Sequence, residues 1–422
     1  MGKRNLYLKT IAPEEALERY EKVLKRILKK RWENIPVTES IGRMTKEAVY
    51  AKYCSPLYNS AAMDGIAVIT EKTKGATETS PVELIQGRDF VPVDTGDPVH
   101  LPYDGVIMAE DLLETEEEER ILITEAAVPW QHIRPVGEDI VAGEMILPGH
   151  HKIRAIDIGV LLSAGITEIS VAARPSVAIF PTGTEMIEPG ETPEEGSIIE
   201  SNSRMFENMA KEQGAKAVRF PILSDDYDKI REAVAQAVQE YDLVVINAGS
   251  SAGREDYTVH VLRELGEVVV HGVAIKPGKP VILAVVNDRP VIGLPGYPVS
   301  AYIGFENFVS PVLAMLGDLP LAEKPIIRGV ITKRLVSSLK HREYVRVKIG
   351  KVGDKLIAAP LARGAGAAMS LVRADGFCII PQNSEGLEAG EEAVIELYRG
   401  LREIENTLVV IGSHVLILDV MA

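Results

Sequence analysis

Hydrophobic and polar positions fall into regions of different texture along the chain. The segment PEEALERYEKVLKRILKK (13–30) starts with Pro, places acidic residues in its first turn and basic residues at its end. That order complements the helix dipole and predicts an amphipathic helix. From about residue 47 to 130 the pattern shifts to short β-rich runs such as GIAVIT, DGVIMAEDLL and ERILITEAAV, with the acidic run ETEEEE (114–119) as a solvated hairpin tip between two of them. A Gly/Pro-punctuated stretch (134–153) and the helical-looking IDIGVLLSAGI (156–166) then read as a compact connector.

Beyond residue 175 the texture becomes regular. Near-continuous apolar strands (SVAIFPT, KAVRFPIL, DLVVINAG, EVVVHGVAI, VILAVV, PVIGLP) alternate with helices near 203–213, 227–241, 257–265 and 300–316. Strands apolar on both faces and separated by helices predict a three-layer αβα domain with a mostly parallel sheet. The runs GVITKRL, EYVRVKIG, KLIAAPL, GFCIIP and EAVIELY suit a small C-terminal β-barrel. The expected architecture is multidomain α/β plus β: a connector (1–46 with 131–174), a β-rich domain (47–130), the αβα domain (175–325), the barrel (326–402) and an extension (403–422). No repeat is visible.

Composition narrows the function. The 422 residues are 46% hydrophobic and 25% charged with a formal charge of −15, which favours neither disorder nor a general attraction to nucleic acid or anionic membrane. An anionic ligand therefore needs a local basic patch. Two distant cysteines, Cys54 and Cys378, suit a reducing cytoplasm rather than disulfide, zinc or iron–sulfur chemistry. The N-terminal charges alternate in sign, unlike a signal peptide. No uninterrupted apolar run reaches the ~18 residues of a membrane span.

Candidate chemistry concentrates where open α/β sheets bind ligands, after the strands. There lie Thr182, Gly183 and Glu185 in PTGTE; Ser224, Asp225 and Asp226; the glycine-rich NAGSSAGREDYT (247–258); Lys276 and Lys279 in KPGKP; and LPGYPVS (294–300). The glycine loop resembles a phosphate cradle yet lacks the Lys-Ser/Thr ending of a P-loop. Carboxylates, backbone N–H groups and two lysines together suit a phosphate-bearing substrate with a carboxylate-held Mg²⁺. Plainer roles stay open: Glu255 and Asp256 at a helix start, Ser224-Asp225-Asp226 as an N-cap, the lysines as turn decoration, and Ser300 as the cap of the last helix. In NSAAMDGIAV (59–68), small residues around Asp64 permit close backbone approach or simply a tight turn.

Eight ordered stretches resemble the molybdopterin molybdenumtransferase family, which includes the E domain of gephyrin: NSAAMDGIAV, VDTGDPV with DGVIMAED, RPVGEDIVAGEMILPG, PTGTEMIEPG, IIESNSRM, DLVVINAGSSAGREDYT, VAIKPGKPVILA and GLPGYPVSAYIGFENFV. The resemblance implies insertion of molybdate, or tungstate, into adenylylated molybdopterin with hydrolysis of the adenylyl bond and release of AMP and molybdenum cofactor, with Mg²⁺. It implies catalytic roles for Asp64, Thr95, Asp139, Glu185, Asp225 and Asp256, of which Glu185, Asp225 and Asp256 hold the metal. Substrate contacts fall to Ser201, Asn202, Gly249, Ser251, Gly253, Lys276, Lys279, Pro295, Pro298, Ser300, Arg342 and Ser370. It further implies a cytoplasmic homodimer whose active site is shared between subunits, with the molybdopterin adenylyltransferase as a candidate partner. Two rival readings are an adenylyltransferase on the same αβα domain and a non-catalytic binding scaffold.

This chain departs from the family pattern at AGSSAG for GGVSVG, Arg254 for an acid, GYPVS for GNPVS and Gly364-Ala365-Gly366 for GSG. The end, IENTLVVIGSHVLILDVMA (404–422), resembles the opening of a fused periplasmic-binding-protein-like domain, or is a terminal strand on the barrel.

Overall fold

The structure, a computed structural model, describes residues 9–117, 119–248 and 257–406. It divides into two compact units, one of residues 1–31 with 173–422 and one of residues 32–172.

In the first unit, six strands form one sheet: β1 (Ser176–Pro181), β2 (Lys216–Arg219), β3 (Leu243–Ala248), β4 (Glu267–His271), β5 (Ile282–Val286) and β6 (Arg289–Pro295), in the order β2-β1-β3-β6-β5-β4. β2, β1, β3 and β6 pair in parallel, while β5 is antiparallel to both neighbours. The strands bury alternate residues on opposite faces: Val177, Ile179, Val245 and Leu294 enter one core, Ala178, Phe180, Val244 and Ile246 the other. Both faces are covered, which is why these strands read as continuous apolar runs.

Helix α1 (Pro13–Ile27) has Pro in its first turn, Glu14 and Glu15 beside it, and Lys25 and Arg26 in its last turn. Its buried residues Ala16, Tyr20 and Leu24 recur every fourth position and pack into the core of the sheet domain. Tyr20 also donates its hydroxyl to the Ala284 carbonyl at 2.8 Å. The helix therefore belongs to the sheet domain, where the sequence pattern placed it with the connector. Truncating Leu24 to Ala would cost about 2–5 kcal/mol.

Helices α2 (Asn202–Glu212), α3 (Tyr227–Glu240) and α4 (Tyr257–Leu265) follow β1, β2 and β3. After β6, helix α5 (Pro298–Gly304) runs through a π-helical turn (Phe305–Val309) into α6 (Ser310–Gly317). This span is long and apolar enough to cross a membrane, but Phe305, Phe308, Val309 and Val312 sit in the domain core.

Strands β7 (Ile326–Ile331), β8 (Arg342–Val352), β9 (Lys355–Pro360), β10 (Gly376–Ile380) and β11 (Glu392–Leu397) close on themselves in the order β8-β9-β7-β11-β10. The β8–β10 pairing completes the barrel, as expected, around Val345, Val347, Cys378 and Ile395. The two-residue strand Ile275–Lys276 pairs in parallel with β8, setting Lys276 beside Glu343.

The second unit joins two three-stranded sheets, Phe90–Val93/Gly65–Val68/Gly105–Met108 and Val82–Ile85/Arg120–Ile123/Leu112–Glu114. Ile66, Val68, Leu84, Phe90 and Ile123 share their core. The acidic run lies between the paired strands Leu112–Glu114 and Arg120–Ile123, a hairpin tip as read. In the connector, Trp32–Pro36 pairs with Glu168–Ala172, and the helix Ala155–Ser163 starts at a cap in which Asp157 accepts from the Arg154 N–H at 2.8 Å.

Candidate active site

Three strand ends of the sheet are tied together by one buried amide. Asn247, at the end of β3, donates its side-chain N–H to the Pro295 carbonyl of β6 at 2.9 Å, while its own carbonyl accepts the Thr182 N–H at 2.9 Å just past β1. Asn202, buried at the start of α2, donates to the Gly296 carbonyl at 2.6 Å. Pro295, Gly296 and Asn202 thus share a neutral floor, with Ser201 exposed beside it. A polar residue ending a wholly apolar strand was the signal for Asn247, which sequence reading quoted but did not nominate.

The carboxylates stand above that floor. Thr184 and Asp225 exchange bonds at 3.3 and 3.4 Å, joining the turn after β1 to the one after β2. Asp226 is the N-cap of α3, accepting from Lys229 N–H at 3.0 Å, so the plain capping role belongs to Asp226. Glu185 is exposed and carries no side-chain hydrogen bond or ion pair among the described residues. A Cβ on Gly183, whose φ is +150°, would sit 3.2 Å from both Glu185 carboxylate oxygens. Two hard oxygen donors on adjacent turns fit a magnesium ion, although among the described residues no three carboxylate, His or Cys side chains group as ligands. Gly249, Ser251, Gly253, Arg254 and Asp256, the proposed third ligand included, lie outside the described residues, as does most of the C-terminal extension.

Beneath Glu185 runs a network that sequence reading missed. Glu200 is buried and accepts from the Ser203 N–H and hydroxyl at 2.7 Å each and from Arg204 at 2.7 Å. Arg204 and Arg219 both bridge to Glu188 at 2.6 Å, and their guanidinium groups hold the Glu188 carboxyl below its usual range. These ties fix the start of α2 against the 186–199 segment.

On the barrel side, Lys276 ends the short strand paired with β8 and Lys279 lies on the turn that leads from it into β5. A Cβ on Gly278, between them, would lie 3.4 Å from the Ser300 carbonyl, so this loop abuts α5. Ser300 itself is the third residue of α5 and buried, and Tyr297 occupies the N-cap without a side-chain bond. Ser300 is therefore not the cap that its position suggested, because Pro298 already starts the helix. Arg342 forms an ion pair with Glu14 of α1. Arg346, four residues on, is buried and donates to the Ser370 hydroxyl at 3.0 Å and to the Gly364 carbonyl at 3.0 Å. Ser370 is thus engaged within the barrel, and the Val299 N–H donates to the Ala365 carbonyl at 3.0 Å, seating the 364–366 loop on α5.

In the second unit, Asp64 accepts from the Thr95 N–H at 2.6 Å and hydroxyl at 2.7 Å. The hydroxyl bond, then the backbone bond, hold its carboxyl below the ordinary range. Gly65 must follow, since a Cβ there would meet the Ile107 carbonyl oxygen at 2.0 Å. Asp139 stands on a different turn, its N–H donating to the Ser55 carbonyl at 2.9 Å.

Three family descriptions match the chain in order: "MoeA N-terminal region (domain I and II)" over 11–165, "Probable molybdopterin binding domain" over 178–315 and "MoeA C-terminal region (domain IV)" over 328–398. A protein named for molybdopterin biosynthesis in Methanocaldococcus jannaschii is 32% identical over 384 residues, 87% of this chain and 92% of that one. A molybdopterin molybdenumtransferase of Staphylococcus epidermidis is 27% identical over 392 residues, covering 88% of this chain and 93% of its own. Two crystal structures of the molybdopterin biosynthesis MoeA protein of Pyrococcus horikoshii superpose with TM-scores of 0.77 and 0.68 at 31% and 28% identity. They cover 93% and 92% of this chain and all of theirs.

Proposed function

The chain belongs to the MoeA family of molybdopterin molybdenumtransferases, and on that premise we propose that it inserts molybdate or tungstate into adenylylated molybdopterin, hydrolysing the adenylyl bond to release AMP and molybdenum cofactor. The observation that carries this reading is that carboxylates and a neutral floor at the ends of β1, β2, β3 and β6, and two lysines just before β5, lie along one edge of the sheet in a chain of this family. The adenylyltransferase alternative is not favoured, because relatives matching nearly the whole chain carry the molybdenumtransferase name.

Each group then has a task. Asn202, Ser201 and Pro295 receive the nucleotide, whose adenine needs shape more than charge. Lys276 and Lys279 take the phosphate oxygens as cations, and the 249–256 loop with Gly249, Ser251 and Gly253 supplies backbone N–H groups to the anion. Glu185, Asp225 and Asp256 would hold Mg²⁺, which supplies Lewis-acid polarisation of the phosphoryl oxygens. Asp64, kept ionised by Thr95, is placed to accept a proton from attacking water or to repel misplaced anions, with Asp139 in support. Two copies of the chain complete the site, the Asp64 loop of one serving the strand ends of the other.

The direct test is incubation with adenylylated molybdopterin and either oxyanion while AMP release is followed. Oxyanion-dependent AMP release is expected; release unaffected by molybdate and tungstate at every concentration would refute the reading. For the shared site, mixed Asp64→Asn and Asp225→Asn dimers should regain part of the activity that each homodimer lacks.

A further inference from the structure

The barrel contains a buried carboxylate that the reaction does not use. Glu343 is 4% exposed, on the strand face shared with the barrel-core residues Val345 and Val347. One of its oxygens, Oε1, takes an ion pair from Arg363 and lies 3.6 Å from Lys276 Nζ. The other, Oε2, is buried and has no hydrogen-bond partner among the described residues. Burying a carboxylate and then leaving one oxygen unpaired is costly, and two cations crowded on the other oxygen repel each other. Such an arrangement gives no efficient structural bridge. What it does achieve is to bring two cations from different elements side by side.

The loops that carry those cations both meet the start of α5, at Ser300 and Val299. Lys276 is 54% exposed, and Arg363, 36% exposed, directly precedes the 364–366 loop seated on α5. The trio keeps a net positive charge, since one carboxylate opposes two cations. His341 reports the same local field: burial lowers its pKa first, and the charges of Lys279, Lys276 and Lys340 lower it further.

We infer that Glu343 is a positioning residue that holds Arg363 beside Lys276, making Arg363 a further phosphate-binding residue of the site. The inference rests on the proposed reaction for its substrate but makes a separate demand. Two opposing effects are separable in Glu343→Gln. If the carboxylate only subtracts charge, its removal strengthens anion binding. If it positions the cations, its removal lets them separate and weakens binding.

The experiment is calorimetric titration of the purified full chain with inorganic pyrophosphate, alongside steady-state AMP release and thermal unfolding. Arg363→Ala should weaken pyrophosphate binding about tenfold, as expected for a lost charge-assisted bond, and raise KM for adenylylated molybdopterin with kcat nearly unchanged. Glu343→Gln should weaken binding too, and Glu343→Asp should restore part of it. Because Arg363→Ala also strips the buried Glu343 of its closer cation, its unfolding midpoint should fall, whereas Arg363→Lys, which keeps the charge, should fall less and keep part of the pyrophosphate binding. Wild-type binding by Arg363→Ala, tighter binding by Glu343→Gln, or no pyrophosphate binding by the unaltered protein would each overturn the inference. A wild-type enzyme that binds pyrophosphate through Arg363 yet releases no AMP would instead overturn the reaction.

Discussion

The floor of the site and its barrel edge are built on opposite terms. At the floor, Asn247 and Asn202 are neutral, buried and bonded to carbonyls of Pro295 and Gly296. At the edge, Glu343, Lys276 and Arg363 are charged, and one buried oxygen is left unpaired. A satisfied amide fixes shape at low cost, whereas an incompletely compensated ion cluster retains charge for a ligand. On the proposed function, the floor would receive a flat, neutral group and the edge would receive phosphate.

The largest effect should come from the carboxylates between the two. Glu185→Gln removes only the charge of an exposed side chain without a described partner, so it should cut AMP release about 100-fold or more while leaving the unfolding midpoint unchanged. A stability loss instead would mean Glu185 is structural. Next comes the floor: Asn247→Ala unties β3 from β6, keeps the backbone bond to Thr182 and leaves the buried Pro295 carbonyl without its side-chain donor, which should cost about 1–3 kcal/mol. Thermal unfolding and KM should both worsen.

A smaller effect separates Asp64 from its support. Thr95→Val deletes the hydroxyl bond, the larger of the two causes of the lowered Asp64 carboxyl, and keeps the backbone bond. With its pKa rising toward the ordinary carboxylate range, Asp64 becomes protonated at a higher pH. The acid limb of the pH–rate profile should shift upward, and an unmoved limb would exclude Asp64 as the titrating group. The smallest expected change is spectroscopic. Lys276→Met removes a charge that lowers His341, so the His341 midpoint followed by NMR should move up toward its ordinary value.

Most of the architecture was legible because its strands are apolar on both faces and its barrel strands alternate. Helix α1 was harder: its pattern states that one face is buried but not against what, and Ala16, Tyr20 and Leu24 turn out to meet the sheet domain. The same limit applies to side chains at the site. PTGTE, KPGKP and LPGYPVS are visible as strand-end loops, yet nothing in HREYVRV distinguishes Arg342, paired with Glu14, from Arg346, which anchors Ser370. Glu343 and Arg363 are 20 residues apart, and the register of the β8–β9 hairpin, which pairs Val347 with Pro360, brings them together.

A crystal of the full chain soaked with adenylylated molybdopterin, without oxyanion, tests the division between floor and edge most directly. The account predicts the adenine against Asn202 and Pro295, with phosphate oxygens within hydrogen-bond reach of Lys276, Lys279 and Arg363. Phosphates bound away from those three cations, with Arg363 still turned to Glu343 and the Val336 carbonyl, would contradict it.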